Sequence, residues 1–279
     1  MVNGIFLVDK EKGITSRKVD NLLGKRFGTH AVGHLGTLDP FATGLLVVAI
    51  NKGTKLLQYI EDGDKTYEAT LLLGSKTSTG DPEGEVIETK EVPQINQKEL
   101  DDVFASFIGK SSQIPPIYSA IKVNGVPMYK AARSGKEVEL KPRDIEIYFL
   151  TGKIENNIIK FTAKVSKGTY IRTLGEDIAN KLGTVGHLID LRRTEIGNIK
   201  VSEAKHIDDI LDEDIISGLD LINLPRIELN EAGETRAKNG QRLFFKTSHD
   251  KVLLVKDNNL IAVYARKEED IFISERGLF

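Results

Sequence analysis

The feature that most constrains this chain is the run Gly44–Ile50, "GLLVVAI", together with what stands just before it. By length and β-branching the run reads as a buried strand. Upstream lies "GHLGTLDPFAT", in which one carboxylate, Asp39, sits among small residues against a proline. Gly36 and Gly44 permit close backbone approach, and Pro40 disfavours helix at Asp39 itself. The spacing predicts a rigid loop that presents Asp39 ahead of a buried strand, a usual place for a functional side chain. The competing reading is a turn or capping aspartate, because Asp-Pro is common in turns.

Around this centre the chain reads as α+β. "GIFLVDK" is a short strand, and Thr15 or Ser16 caps a helix through "RKVDNLLGKRFG" that ends near Gly24 or Gly28. "GTKLLQYIEDGD" reads as a short amphipathic helix, and "TYEATLLLG" as a strand with Tyr67, Ala69 and Leu71 on one face. "SKTSTGDPEGEV" is turn chemistry throughout. "NQKELDDVFASFIGK" is an amphipathic helix carrying Leu100, Val103, Phe104 and Phe107 on one side. The stretch "SQIPPIYSAIKVNGVPMYKAARSGK" has no single period and reads as a long ordered surface excursion. "PRDIEIYFL" and "NIIKFTAKVS" form an antiparallel pair, "TYIRTLGEDIANKLG" a helix closed by Gly183, and "VGHLIDLRRTEIG" a further strand. The acidic "IDDILDEDI" reads as a helix on the polar side. After "INLPRIEL" the texture shifts to short alternating strands ("KVLLVKD", "LIAVYARK") and a turn-like "KNGQ". A domain boundary is expected near Leu224–Pro225, with 1–224 one domain and 225–279 a small β-rich one.

A length of 279 residues suits one large domain plus a small one, and 40% hydrophobic with 29% charged residues is an ordinary globular balance. The absence of cysteine excludes disulfides, thiolate metal sites and cysteine nucleophiles. The apolar run at the start is too short for a signal peptide or membrane span, so a cytoplasmic protein is expected. Net charge is −2, from 39 Lys+Arg against 41 Asp+Glu, but it is segregated. Lys122, Lys130, Arg133, Lys136, Lys141 and Arg143 face only Glu137 and Glu139 within their stretch, whereas His206–Asp220 is acidic. Chance clustering on solvated faces accounts equally well for this from charge alone. Five histidines without an HExxH or paired-Asp spacing make a metal site unexpected. No P-loop, Rossmann or GxSxG signature is present, which disfavours a nucleotide-cofactor enzyme.

Arg172, in "SKGTYIRTL", falls in the first turn of a helix, where the dipole opposes a cation. A carboxylate partner is the simplest compensation; a plain surface arginine is the alternative. A pairing of Arg172 with Asp39 would keep the carboxylate ionised by lowering its pKa, making it a nucleophile or general base. Tyr67 in "KTYEA" could stack on a base or donate its hydroxyl, or be a half-buried strand tyrosine. His30 and His34 could equally be loop structure.

"GHLGTLDPFATGLL", "KTYEA", "PPIYSAIKVNGVPMYKAAR" and "SKGTYIRTLGEDI…GTVGHLIDLRR" occur in the order, and with the wording, of the TruB family of tRNA pseudouridine synthases, which the chain closely resembles from about residue 3 to about 200. The resemblance implies a pseudouridine synthase core with a mixed, largely antiparallel sheet, flanking helices, and a PUA-like C-terminal domain. It implies isomerisation of uridine 55 in the tRNA T-arm, with no cofactor, metal, membrane or obligate protein partner. By motif match Asp39 would be the catalytic aspartate, with Tyr67 stacking on the flipped uracil and Arg172 pairing with Asp39. His34 would lie against flipped-out nucleotides, and Tyr170 and Leu191 would line the uridine pocket. The excursion over 113–143 would clamp the T-loop, and its six cations would supply phosphate contacts. The other readings are a tRNA-binding or tRNA-folding module with incidental catalytic residues, and a guide-RNA-dependent relative. Glu11 stands where family members carry proline, although Lys10, Gly13, Thr15 and Ser16 match.

Overall fold

The computed structural model describes residues 3–60, 63–117, 122–123, 126–127 and 141–278. Along the chain run β1 (Gly4–Lys10), α1 (Ser16–Arg26), β2 (Val32–Leu35), β3 (Thr43–Ile50), β4 (Lys65–Leu73), β5 (Ser75–Thr77), β6 (Val86–Thr89), α2 (Gln97–Ala105) and β7 (Gly109–Gln113). Then come β8 (Lys122–Val123), β9 (Val126–Pro127), β10 (Arg143–Glu155), β11 (Ile158–Val165), α3 (Ile171–Lys181), β12 (Gly186–Ile196) and β13 (Ile199–Lys200). The main sheet has the order β1-β3-β12-β4-β11-β10-β7, with β2 added to β3 and β13 to β12. Its pairings are antiparallel except where β12 runs parallel to β3, at Arg192↔Thr43 and Arg193↔Gly44.

The apolar run forms β3 and is buried on both faces. Leu45, Val47 and Ala49 join Ile5 and Leu7 in one cluster, while Leu46, Val48 and Ile50 join Phe6, Val8, Val19 and Leu23 in another. Two covered faces explain why the run shows no polar alternation. β4 does alternate: Lys65, Tyr67, Ala69, Leu71 and Leu73 point inward, toward the face that α3 covers with Ile171, Leu174 and Ile178. α1 starts as expected, with the Thr15 hydroxyl accepting from the Lys18 amide, and Asn96 with Glu99 makes a capping box on α2.

The C-terminal part contains α4 (Gly218–Leu221), β14 (Arg226–Glu228), α5 (Glu231–Lys238), β15 (Leu243–Phe244), β16 (Lys251–Lys256), β17 (Asn259–Glu268) and β18 (Ile271–Gly277). Its sheet has the order β14-β16-β17-β18-β15. Leu253, Val255 and Val263 of this sheet pack in the same cluster as Ile5, Leu45 and Val47. The architecture is thus α+β, with a β-rich C-terminal sheet. No helix among the described residues is long and apolar enough to cross a membrane.

Three local expectations are corrected. The helix expected over 53–64 is a 3-10 turn, Asn51–Leu56. Asn51 has a positive φ of 52°, and Gly53 lies so close to the Gly4 backbone that the turn hugs β1. The acidic helix is two 3-10 turns, Ile207–Asp209 and Asp212–Asp214. Ile207 and Ile210 are anchored in the cluster under α1, and the Asp214 carboxylate accepts from the Leu211 amide, a local bond that competes with helix. Ser75–Thr77, read as turn, pairs as strand with 86–89. "KNGQ" is the expected turn, and it closes α5, a helix too short and polar to show a period. Most of the excursion, including Lys130, Arg133 and Lys136, lies outside the described residues, and Lys122 falls in the short strand β8.

Candidate active site

The Asp39 loop is fastened on both sides of the carboxylate. The buried Ser16 hydroxyl donates to the Leu38 carbonyl (3.1 Å) and accepts from the Leu38 amide (2.9 Å). Lys10 Nζ donates to the Pro40 carbonyl (3.3 Å) and to that of Ile14 (2.7 Å), and the Gly13 amide donates to Pro40 as well (2.8 Å). Glu11, at the position of the family proline, points outward with His206 Nδ1 3.6 Å away, and the loop keeps these bonds. Gly44 lets β12 approach β3 closely, since a Cβ there would run into the Arg193 carbonyl. The buried Arg193 side chain then reaches beneath the loop, donating to the carbonyls of Leu45 (2.8 Å) and Gly36 (2.7 Å).

Arg172 resolves the helix-dipole conflict with two carboxylates. Its Nε lies 3.0 Å from Asp39 Oδ2 and its Nη1 3.2 Å from Asp81 Oδ2, and Nη1 also donates to the Thr79 carbonyl (2.7 Å). The Arg172 and Asp81 side chains are each 4% exposed, whereas Asp39 keeps 37% of its side chain open. Asp81 is itself held by the Thr79 hydroxyl (2.5 Å) and the Glu83 amide (3.0 Å). One guanidinium therefore bridges a fully buried acid and one that is desolvated except for a face left open.

These groups surround a pocket of about 580 Å³, within the range of small-molecule sites. Asp39, Tyr67, Tyr170, Arg172 and Leu191 line it, with Thr37, Lys65, Lys167 and Arg193. Tyr67 faces Arg193 across the β4–β12 register, which places the aromatic ring on the α3-covered face beside Leu191. The Tyr170 peptide is held by Gln113, which accepts from its amide (2.8 Å) and donates to its carbonyl (3.1 Å). His34 is outside this lining: it sits on β2, with Nδ1 3.0 Å from the Asp20 carboxylate and Nε2 3.1 Å from the hydroxyl of Thr37. Lys141 and Arg143 are exposed at the base of the excursion, with Arg143 opposite Gln113.

The electrostatics correct one expectation. Burial pushes the Asp39 carboxyl above its ordinary value, and Asp81 adds to this; Arg172 and Lys10 pull it back without reversing it. Burial is the largest of these causes, and it outweighs the ion pair. Burial also brings the Lys10 ammonium down to about 8, against the opposing pull of the Asp39 and Glu83 charges. The arrangement offers an aimed carboxylate opening into an aromatic-walled pocket, suited to nucleophilic attack or proton abstraction.

Asp81, Lys10, Ser16, Gln113 and Arg193 were not expected at the site from sequence. One signal for Asp81 was readable: "GDP" repeats the Asp-Pro dipeptide of Asp39-Pro40 next to a glycine.

The family described as TruB family pseudouridylate synthase (N terminal domain) matches residues 25–171, and the tRNA pseudouridylate synthase B C-terminal domain matches 172–217. A protein of Francisella tularensis subsp. tularensis (strain WY96-3418) named tRNA pseudouridine synthase B is 48% identical over 214 residues, 76% of this chain and 70% of the relative. The chain belongs to the TruB family of pseudouridylate synthases. A relative of the same name from Francisella philomiragia subsp. philomiragia is 45% identical over 213 residues. Among solved structures, one described as a Cbf5-Nop10-Gar1 complex matches with TM-score 0.73 and 22% identity, over 99% of this chain and 85% of the other. An archaeal box H/ACA sRNP Nop10-Cbf5 complex matches with TM-score 0.72 and 20% identity, over 99% and 86%. At these identities the likeness is one of fold. The TruB stretches span every lining residue from Gly36 to Arg193.

Proposed function

We propose that this chain converts uridine 55 in the T-arm of tRNA to pseudouridine, unaided by cofactor or partner protein. The carrying observation is the Arg172 guanidinium that aims Asp39 into a pocket walled by Tyr67, Tyr170 and Leu191. Relatives named tRNA pseudouridine synthase B support the substrate class. The reaction breaks N1–C1′, rotates the base and forms C5–C1′; the C5 proton is lost and N1 gains one, so composition is unchanged. Asp39 serves as the attacking group at C1′ or C6, or as the base at C2′, and each role needs it ionised and oriented. The target uridine leaves its stack, at a cost of about a few kcal/mol that stacking on Tyr67 offsets. The cations of the 122–143 stretch contact T-arm phosphates, and 225–279 forms a PUA-like RNA-binding domain.

Mapping pseudouridine in tRNA after incubation with the purified chain tests this. Product is expected at position 55, and none from Asp39→Asn, which should still bind tRNA within about tenfold of the unmodified enzyme. Product at another position overturns the T-arm assignment. Turnover by Asp39→Asn overturns the role of the aspartate, and tRNA binding without release of C5 tritium from either protein favours a binding module.

A further inference from the structure

One buried acid takes no part in the reading above. Asp20 lies on the inward face of α1 beside Val19 and Leu23, and its side chain is 2% exposed. A carboxylate in that position is costly unless it is hydrogen-bonded and paired. Both of its oxygens lie 3.0 Å from His34 Nδ1, and Arg17, on an exposed side chain, approaches one of them at 3.3 Å. The other ring nitrogen of His34 meets the Thr37 hydroxyl at 3.1 Å. Thr37 lines the pocket, two positions before Asp39.

The chemistry of these atoms fixes the hydrogens. An ionised carboxylate only accepts, so the nitrogen facing it is the N–H. In the neutral ring Nε2 is then an acceptor, and the Thr37 hydroxyl has to donate to it. The lone pairs of the Thr37 oxygen are then not used by His34, on a residue that lines the pocket.

We propose that Asp20 is a positioning residue: it locks His34 as the Nδ1–H tautomer, and His34 in turn sets Thr37 as a hydrogen-bond acceptor for an N–H or O–H of the bound nucleotide. This rests on the reading that the pocket takes a uridine. It gives His34, which stands outside the lining, a defined route to the substrate. It also explains why a carboxylate is kept at a helix position whose neighbours are apolar.

The test uses the full chain. Nitrogen-15 NMR of the RNA-free protein should show the neutral His34 ring protonated at Nδ1, and Asp20→Leu, which keeps the volume and removes the acceptor, should release that proton to both nitrogens. On tRNA, Asp20→Leu should lower kcat/KM by about tenfold, and should have no further effect in a His34→Ala background, because the two act in series. Asp20→Asn, nearly isosteric, serves the same cycle should the leucine variant fail to fold. Protonation of His34 at Nε2 in the parent overturns the proposal. So does an equal loss from Asp20→Leu with and without His34, since that loss would come from the fold. The NMR readout needs no turnover, so a failure of the uridine reading is seen separately, as absent pseudouridine with an unchanged tautomer.

Discussion

At the scale of single residues, the site is a problem of sharing one cation between two acids. Arg172 stands where the helix dipole disfavours it, and Asp39 and Asp81 together offset that cost. Only a planar fork reaches both, so Arg172→Lys should lower kcat by about a hundredfold or more while the protein stays folded; single-turnover pseudouridine formation measures it. Asp81 also acts on Asp39 through space. Its negative charge is one of the causes holding the Asp39 carboxyl above its ordinary value. Activity that needs the Asp39 anion should therefore fade, as pH falls, at a higher pH than an unperturbed aspartate would give. Asp81→Asn removes the repelling charge, so the acid limb of the kcat/KM profile should move to lower pH, even though the rate at the plateau falls with the loosened arginine. A limb that stays put or moves up would show that Asp81 only holds Arg172.

At the scale of elements, the helix that carries Arg172 begins without a side-chain cap of its own. Gln113, at the end of β7, fixes the peptide at the helix start instead, by gripping both the amide and the carbonyl of Tyr170. Gln113→Leu removes both bonds and leaves the carbonyl only its helical bond to Leu174; it should lower unfolding free energy by about 1–3 kcal/mol, read from the urea midpoint. Gln113→Glu keeps the acceptor for the amide and should cost less; equal losses would mean that side-chain volume matters more than the bonds. This element also shows what was legible in the sequence. The helix, its Gly183 end and the strands β4, β10, β11 and β12 follow from periodicity, which is a local property. That Asp39 sits on a held loop followed from Pro40 and two glycines, again local, whereas the bonds that fasten it come from Ser16, Lys10 and Arg193. The placing of Gln113 and Lys10 was not readable, and that of Asp81 only through its Asp-Pro dipeptide, because each works across a long sequence separation and belongs to a residue type that usually sits in water. The acidic segment misled for a related reason: its isoleucines reach the core at a spacing set by the surface of α1, while Asp214 bonds the local backbone.

At the scale of the whole molecule, the C-terminal sheet has a cluster of its own around Val252, Leu254, Tyr264 and Phe272, but its other face shares a core with the main sheet. Leu253, Val255 and Val263 of the C-terminal sheet share an apolar cluster with Ile5, Leu45 and Val47, the strands that flank the Asp39 loop. Polar ties run alongside: Tyr59 donates to Glu275 (3.0 Å), and Lys55 to the Gly277 carbonyl (3.0 Å). A shared cluster couples the stability of both sheets, so heat should unfold the chain in one calorimetric transition, with van't Hoff and calorimetric enthalpies equal. Leu253→Ala tests the coupling at a fully buried position. Removing that side chain should cost about 2–5 kcal/mol, from lost burial plus the cavity left behind. If the sheets are coupled, the single transition moves down as a whole, and the melting of β1 and β3 falls with that of β16. If instead the C-terminal sheet is an independent unit, a second, lower transition splits off while the larger one stays where it was. Hydrogen exchange at the amides of β3 separates the two outcomes directly. Under coupling their protection falls by the same free energy as global stability, because the highest-energy openings follow the global unfolding reaction.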